Sequence, residues 1–192
     1  MEKKVQEGKI IIIVAPSGTG KSTLIKRLKK DFPILVESIS YTTRPNRPGE
    51  AHGVNYFFIS KDEFLHMRER GEFLEWAQVH DNFYGTSKRF IEDNLRLGKI
   101  LLLDVDVQGT DSFKKHFGAK ARAIFINPPS IEELEKRLRA RGTDSEQVMQ
   151  TRLANARKEL LRKDDYDFRV DNIELGKAYT DLKDVVNKIL KD

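Results

Sequence analysis

The residues best able to do chemistry lie in Ala15-Pro16-Ser17-Gly18-Thr19-Gly20-Lys21-Ser22. The apolar run Ile10-Ile11-Ile12-Ile13-Val14 precedes them, and the helix-like Thr23-Leu24-Ile25-Lys26-Arg27-Leu28 follows. Strand, glycine-rich loop and helix form the setting in which backbone N–H groups and a helix N-terminus face a polyphosphate. Lys21 can then reach the β and γ groups, and the Ser22 hydroxyl can sit on Mg²⁺. Ala15 stands where the full GxxxxGK[ST] pattern has Gly, keeping a small side chain but losing easy access to positive φ. The alternative is an ordinary glycine-rich turn, and the matched strand and helix weigh against it.

Other side chains could serve a phosphoryl group. Asp104 ends the run Ile100-Leu101-Leu102-Leu103, which resembles a Walker B strand. A carboxylate there can hold Mg²⁺ directly or through water, or it can simply cap the next turn. Asp106 shares a face with Asp104 if the strand continues, and is otherwise a turn residue. Arg44 and Arg47 flank Pro45-Asn46, so two guanidinium forks could grip a phosphate; the alternative is a solvated basic loop. Arg137 and Arg141 share one helix face at i and i+4, Arg139 points elsewhere, and Arg152 lies on the next helix. Joined by Gly142-Thr143, the two helices make an arginine-bearing flap that could close over a γ-phosphate, or a charged surface hairpin. Glu75 precedes Trp76, the single Trp. An acceptor-only carboxylate suits the N1 and N2 donors of guanine, or it is an edge-strand charge.

The elements that must position these groups alternate along the chain. Strands are expected over residues 9–14, 34–39, 56–59, 73–79, 82–84, 100–105, 122–126 and 168–170. Helices are expected over 21–30, from the Ser60/Glu63 capping box to Gly71, from Ser87 to Gly98, from the Ser130/Glu133 box through 139, from caps at 143–145 to about 163, and over 174–190. Residues 41–50 are too rich in Pro and polar side chains for a helix or central strand. Alternation of this kind implies an α/β fold, a P-loop NTPase-type parallel sheet flanked by helices. Residues 38–89 look like an inserted mixed β/α region, and about 129–164 a helical lid. The chain has 192 residues, no Cys and four scattered His, so disulfides and a Cys-ligated zinc are excluded. Its +5 charge is interspersed with acids rather than gathered in a tail, which favours phosphate esters over nucleic acid as partners. Without an apolar leader or a run of membrane-spanning length, a cytoplasmic protein that does not bind membrane is expected.

Together the motifs resemble guanylate kinase, a family that phosphorylates GMP with ATP. The resemblance rests on Pro16 to Ser22, Ser40-Tyr41-Thr42-Thr43-Arg44-Pro45, Gly53-Val54-Asn55-Tyr56 and Phe73-Leu74-Glu75-Trp76-Ala77. It extends through Tyr84-Gly85-Thr86, Leu103-Asp104-Val105-Asp106-Val107-Gln108-Gly109 and Arg137-Leu138-Arg139-Ala140-Arg141-Gly142-Thr143. It implies one domain: a core of residues 8–37, 90–128 and 165–192, a GMP-binding region at 38–89, and the lid. It places Ser40, Glu75, Thr86 and Asp106 around guanine, with Asp104 near the metal and the GMP side. Arg44, Arg47, Tyr56 and Tyr84 would hold the GMP phosphate. Ala15, Pro16, Ser17, Gly18, Thr19, Gly20, Lys21, Ser22 and Thr23 would hold ATP, with Asp171 on the adenine side. Lys21, Arg44, Arg137, Arg141 and Arg152 would be catalytic, and Ser22 and Asp104 would serve Mg²⁺. Val170-Asp171-Asn172-Ile173 stands where the family reads Val-Asn-Asp-Asp, so Asn and Asp look interchanged. The implied reaction is in-line phosphoryl transfer to GMP, and to dGMP, needing no general base because the acceptor phosphate is already anionic. A non-catalytic phosphopeptide-binding module and a P-loop kinase for another phosphorylated acceptor are the alternatives. Oligomeric state stays open between monomer and homo-oligomer.

Overall fold

The computed structural model describes residues 8–79, 81–140 and 146–192. Nine strands and seven α-helices occur among them, in two sheets. The first is a parallel central sheet flanked by helices, in the order β2 (Leu35–Glu37), β7 (Ile100–Asp104), β1 (Lys9–Val14), β8 (Ala121–Asn127), β9 (Phe168–Asp171). β1 is buried from Ile10 to Val14, and Ile100 to Leu103 are buried while Asp104 is exposed. Unbroken apolar strands of this kind belong in a sheet covered on both faces.

The second sheet has the order β4 (Phe57–Phe58), β3 (Tyr41–Thr42), β6 (Asn82–Ser87), β5 (Phe73–Val79). Tyr41-Thr42 is therefore an inner strand, contrary to the expectation for residues 41–50; the prolines that argued against it begin at Pro45, beyond the paired residues. β6 also runs on to Ser87, past the expected 82–84. Gly85 explains how: a Cβ there would stand 2.9 Å from Phe73 and 3.0 Å from Phe64, so the strand needs a residue without a side chain. Phe64, Phe73 and Phe83 stack beneath it, with Met67, as the core of this region.

α1 (Lys21–Asp31) follows the glycine-rich loop, and α2 (Lys61–Glu69), α3 (Lys88–Arg96) and α5 (Ile131–Ala140) open where the capping residues said. Ser60, Ser87 and Ser130 accept hydrogen bonds from the N–H groups of Glu63, Phe90 and Glu133. α4 (Val107–Phe117) was not expected; Gly109 and Thr110 in its first turns are weak helix formers. α6 (Glu146–Leu161) and α7 (Leu175–Lys191) complete the set, and the caps expected at 143–145 lie outside the described residues. No described helix is long and apolar enough to cross a membrane.

The chain divides into two compact units: residues 1–10 with 34–121, and 11–33 with 122–192. In the second, Leu134 and Leu138 of α5 pack on Met149, Leu153 and Ala156 of α6.

Candidate functional site

In the second unit, the loop after β1 is shaped by its glycines. Gly18 and Gly20 hold φ of 90° and 93°, the left-handed region in which L side chains are strained. A Cβ on Gly18 would also press on Leu138 at 3.1 Å, so α5 packs directly against the loop. The buried Thr19 closes it by donating its hydroxyl to the Pro16 carbonyl at 2.7 Å. Lys21, Ser22 and Thr23 open α1, with the last two exposed at its positive end. Arg152, on α6, reaches the loop and donates to the Ser17 hydroxyl at 3.3 Å. Arg137 is tied to Glu133 on its own helix at 3.1 Å. Arg139 points elsewhere, as its spacing indicated, and bridges Glu135 on α5 to Glu146 on α6. Arg141 lies outside the described residues.

Asp171 ends β9, exposed, accepting from the Asn127 side chain at 2.8 Å. The side chain that touches the loop is its neighbour: Asn172 Nδ2 donates to the Thr19 carbonyl at 2.6 Å. Asn172 received no role from sequence reasoning, and nothing in its spacing signals this contact.

In the first unit, Glu75 and Thr86 face each other across β5 and β6. The pairing skips a residue on β5, so that Phe73 opposes Ser87 while Glu75 opposes Thr86. This bulge at Leu74 re-aims the carboxylate; regular pairing from Phe73 would set Glu75 across from Gly85. The buried Thr86 hydroxyl donates to Glu75 Oε1 at 2.5 Å. Gly109 lies close enough that a Cβ would meet Glu75 Oε2 at 3.1 Å. Asp106 is the N-cap of α4, accepting from the Gly109 N–H at 2.8 Å, which explains why that acid sits there. Burial lifts the Glu75 carboxyl to about 7; the Thr86 hydroxyl opposes this and the Asp106 carboxylate adds to it.

The same unit gathers Arg44, Tyr56 and Tyr84. The Arg44 guanidinium lies 5.5 Å from the Tyr56 ring, and the two tyrosine rings meet edge-on at 6.0 Å. Burial, then the nearby Asp104 carboxylate, raises the Tyr56 phenol to about 12, so it stays a hydroxyl donor. Glu50, absent from the sequence-derived candidates, organises this corner. It accepts from Arg44 Nη2 at 2.9 Å and from the Arg47 N–H at 2.8 Å. Burial raises the Glu50 carboxyl, but these two bonds outweigh it and hold it below its usual range. An acid three residues beyond Arg47, past a Gly49 turn, was the available signal. The Arg47 side chain is exposed, and Ser40 contributes its carbonyl to the Phe57 N–H.

A carboxylate with a hydroxyl, an arginine with two phenols, and a glycine-shaped loop before a helix are groups with the chemistry to hold a base edge and phosphates. The family model described as guanylate kinase matches residues 7–189. A guanylate kinase of Geobacter sulfurreducens is 46% identical over 181 residues, covering 94% of this chain and 89% of its own. One from Chromobacterium violaceum is 48% identical over 179 residues, covering 93% and 85%. The crystal structure of guanylate kinase from Anaplasma phagocytophilum superimposes with a TM-score of 0.78 at 32% identity, covering 95% of this chain and 86% of that one. The chain belongs to the guanylate kinase family.

Proposed function

We propose that this protein is an ATP:GMP phosphotransferase, carrying the γ-phosphoryl group of ATP to the phosphate of GMP, and of dGMP, to give ADP and the diphosphate. The observation that carries the acceptor assignment is the Glu75–Thr86 pair, held in the same unit as Arg44, Tyr56 and Tyr84. As a carboxylate, Glu75 accepts the guanine N1–H and N2–H; AMP offers an acceptor at N1 and would leave the carboxylate poorly paired. Ser40 and Asp106 would complete the guanine side, and Arg44 and Arg47 would grip the phosphate with Tyr56 and Tyr84.

An oxygen of the GMP phosphate attacks the γ-phosphorus, the bond to the β-phosphate oxygen breaks, and ADP departs with that electron pair. The nucleophile is anionic near neutral pH, with a second pKa of about 6, so no base is required. Lys21, Arg137, Arg141 and Arg152 would balance charge on the transferring group, while residues 15–23 orient the donor and Asp171 lies on the adenine side. Ser22 and Asp104 would serve Mg²⁺: each offers an exposed hard oxygen, the donor type this cation takes, and a cation shared with phosphates and water needs few protein ligands. When bound, the metal supplies charge neutralisation at the phosphates. We further assign residues 38–89 to acceptor binding, about 129–164 to the lid, and the protein to the cytoplasm.

A coupled ADP-release assay with ATP and Mg²⁺ against GMP, dGMP, AMP and UMP tests the reading. Turnover with GMP and dGMP, and little with AMP or UMP, is expected; equal rates with AMP would overturn the guanine assignment.

A further inference from the structure

Asn172 follows β9 and is only 4% exposed. Its N–H donates to the Asn127 carbonyl at 2.8 Å, which fixes its backbone, and its Nδ2 donates to the Thr19 carbonyl at 2.6 Å. A carbonyl oxygen only accepts, so the amide nitrogen must be the atom that faces it. The contact joins residues 153 positions apart and ends on the glycine-rich loop.

The peptide between Thr19 and Gly20 is planar and trans, so its C=O and N–H point in opposite directions. With the Thr19 C=O turned onto Asn172, the Gly20 N–H is aimed the other way. Gly20 is the residue before α1, at φ 93°, where successive N–H groups form an anion-binding hollow. A glycine at this position tolerates a flipped peptide more readily than any other residue. A flip would replace the N–H donor by a carbonyl oxygen, which repels phosphate. Gly20 is also packed closely on the amide: a Cβ there would lie 3.2 Å from Asn172 Nδ2.

We propose that Asn172 is a positioning residue of the donor site, locking the Thr19–Gly20 peptide so that the Gly20 N–H faces the polyphosphate. The inference rests on reading this loop as the site of the donor triphosphate. It makes the action of Asn172 independent of the base, since the group it orients serves phosphate oxygens.

Titration calorimetry on wild type, N172A and N172D, with ATP, inorganic tripolyphosphate and GMP as separate titrants, tests it. N172D keeps the volume and removes the donor. Both variants are expected to bind ATP and tripolyphosphate about tenfold more weakly, with GMP affinity within about twofold of wild type as a check on the fold. Loss confined to ATP would mean that Asn172 acts on the base, and would overturn the proposal, as would no loss at all. Wild type failing to bind tripolyphosphate would overturn the donor-site reading itself and the inference with it. Should the variants not fold, the ¹⁵N-labelled wild type decides: the Gly20 amide resonance must move downfield on adding tripolyphosphate, and an unmoved resonance overturns the proposal.

Discussion

Glu75 is asked to be charged in a place that disfavours charge. Burial lifts its carboxyl to about 7, above the 4.5 of a free glutamate. The fold therefore favours the neutral acid: that stabilisation is complete below the unfolded value and is lost as pH rises through about 7. The proposed recognition of GMP needs the opposite state, the carboxylate. The KM for GMP should rise as pH falls from 8 to 6, and E75Q should show a high KM with no such slope; an unchanged wild-type KM across that range would sink the assignment. By the same linkage, ligand-free E75Q should melt at a higher temperature than wild type at pH 8, and differ little at pH 5. At Lys21 the effect falls on the transition state: Lys21→Ala should lower turnover by roughly 10²–10³ with little change in GMP affinity. Steady-state kinetics that found wild-type turnover would remove Lys21 from the mechanism.

Among the elements, short-range contacts decide what the strands and loops can present. Gly85→Ala would force a Cβ to within 2.9 Å of Phe73, so a loss of about 1–3 kcal/mol is expected in urea unfolding. Glu50 joins Arg44 to the turn that carries Arg47; E50A should raise the KM for GMP about tenfold while leaving that for ATP unchanged, and equal changes in both would show a general loss of structure. Elements with local rules were legible in sequence. The glycine-rich loop, the serine caps before α2, α3 and α5, and the buried runs of β1 and β7 each follow from a few adjacent residues. Elements that depend on distant partners were not. Tyr41-Thr42 becomes an inner strand only because β4 and β6 flank it, and the bulge at Leu74 exists only in the register with β6. α4 begins on a good cap, Asp106, but its weak first turns hid it. Glu75 and Thr86 could be named from family resemblance, whereas Glu50 and Asn172, whose work is to hold other groups, could not.

For the whole molecule, charge is the property that matters to substrates. A chain of net charge +5 attracts two polyanionic nucleotides, so kcat/KM for both should fall several-fold as ionic strength rises from about 50 to 500 mM, where the Debye length shrinks to a few ångström. Salt-independent kinetics would contradict that steering.

The division of the chain also bears on how the protein is made. The unit that holds the glycine-rich loop is assembled from residues 11–33 and 122–192, and two of its three boundaries fall inside strands, β1 and β8. On a ribosome adding about 5–20 residues each second, the loop emerges roughly 8–30 s before Asn172, the side chain that fastens it. Until β7 and β8 are made, the run from Ile10 to Val14 lacks its neighbouring strands, so the nascent chain presents a sticky aliphatic strand to its surroundings. The glycine-rich loop is thus synthesised well before the residue that fastens it, and the stage between the two is the one at which chaperone capture is most needed.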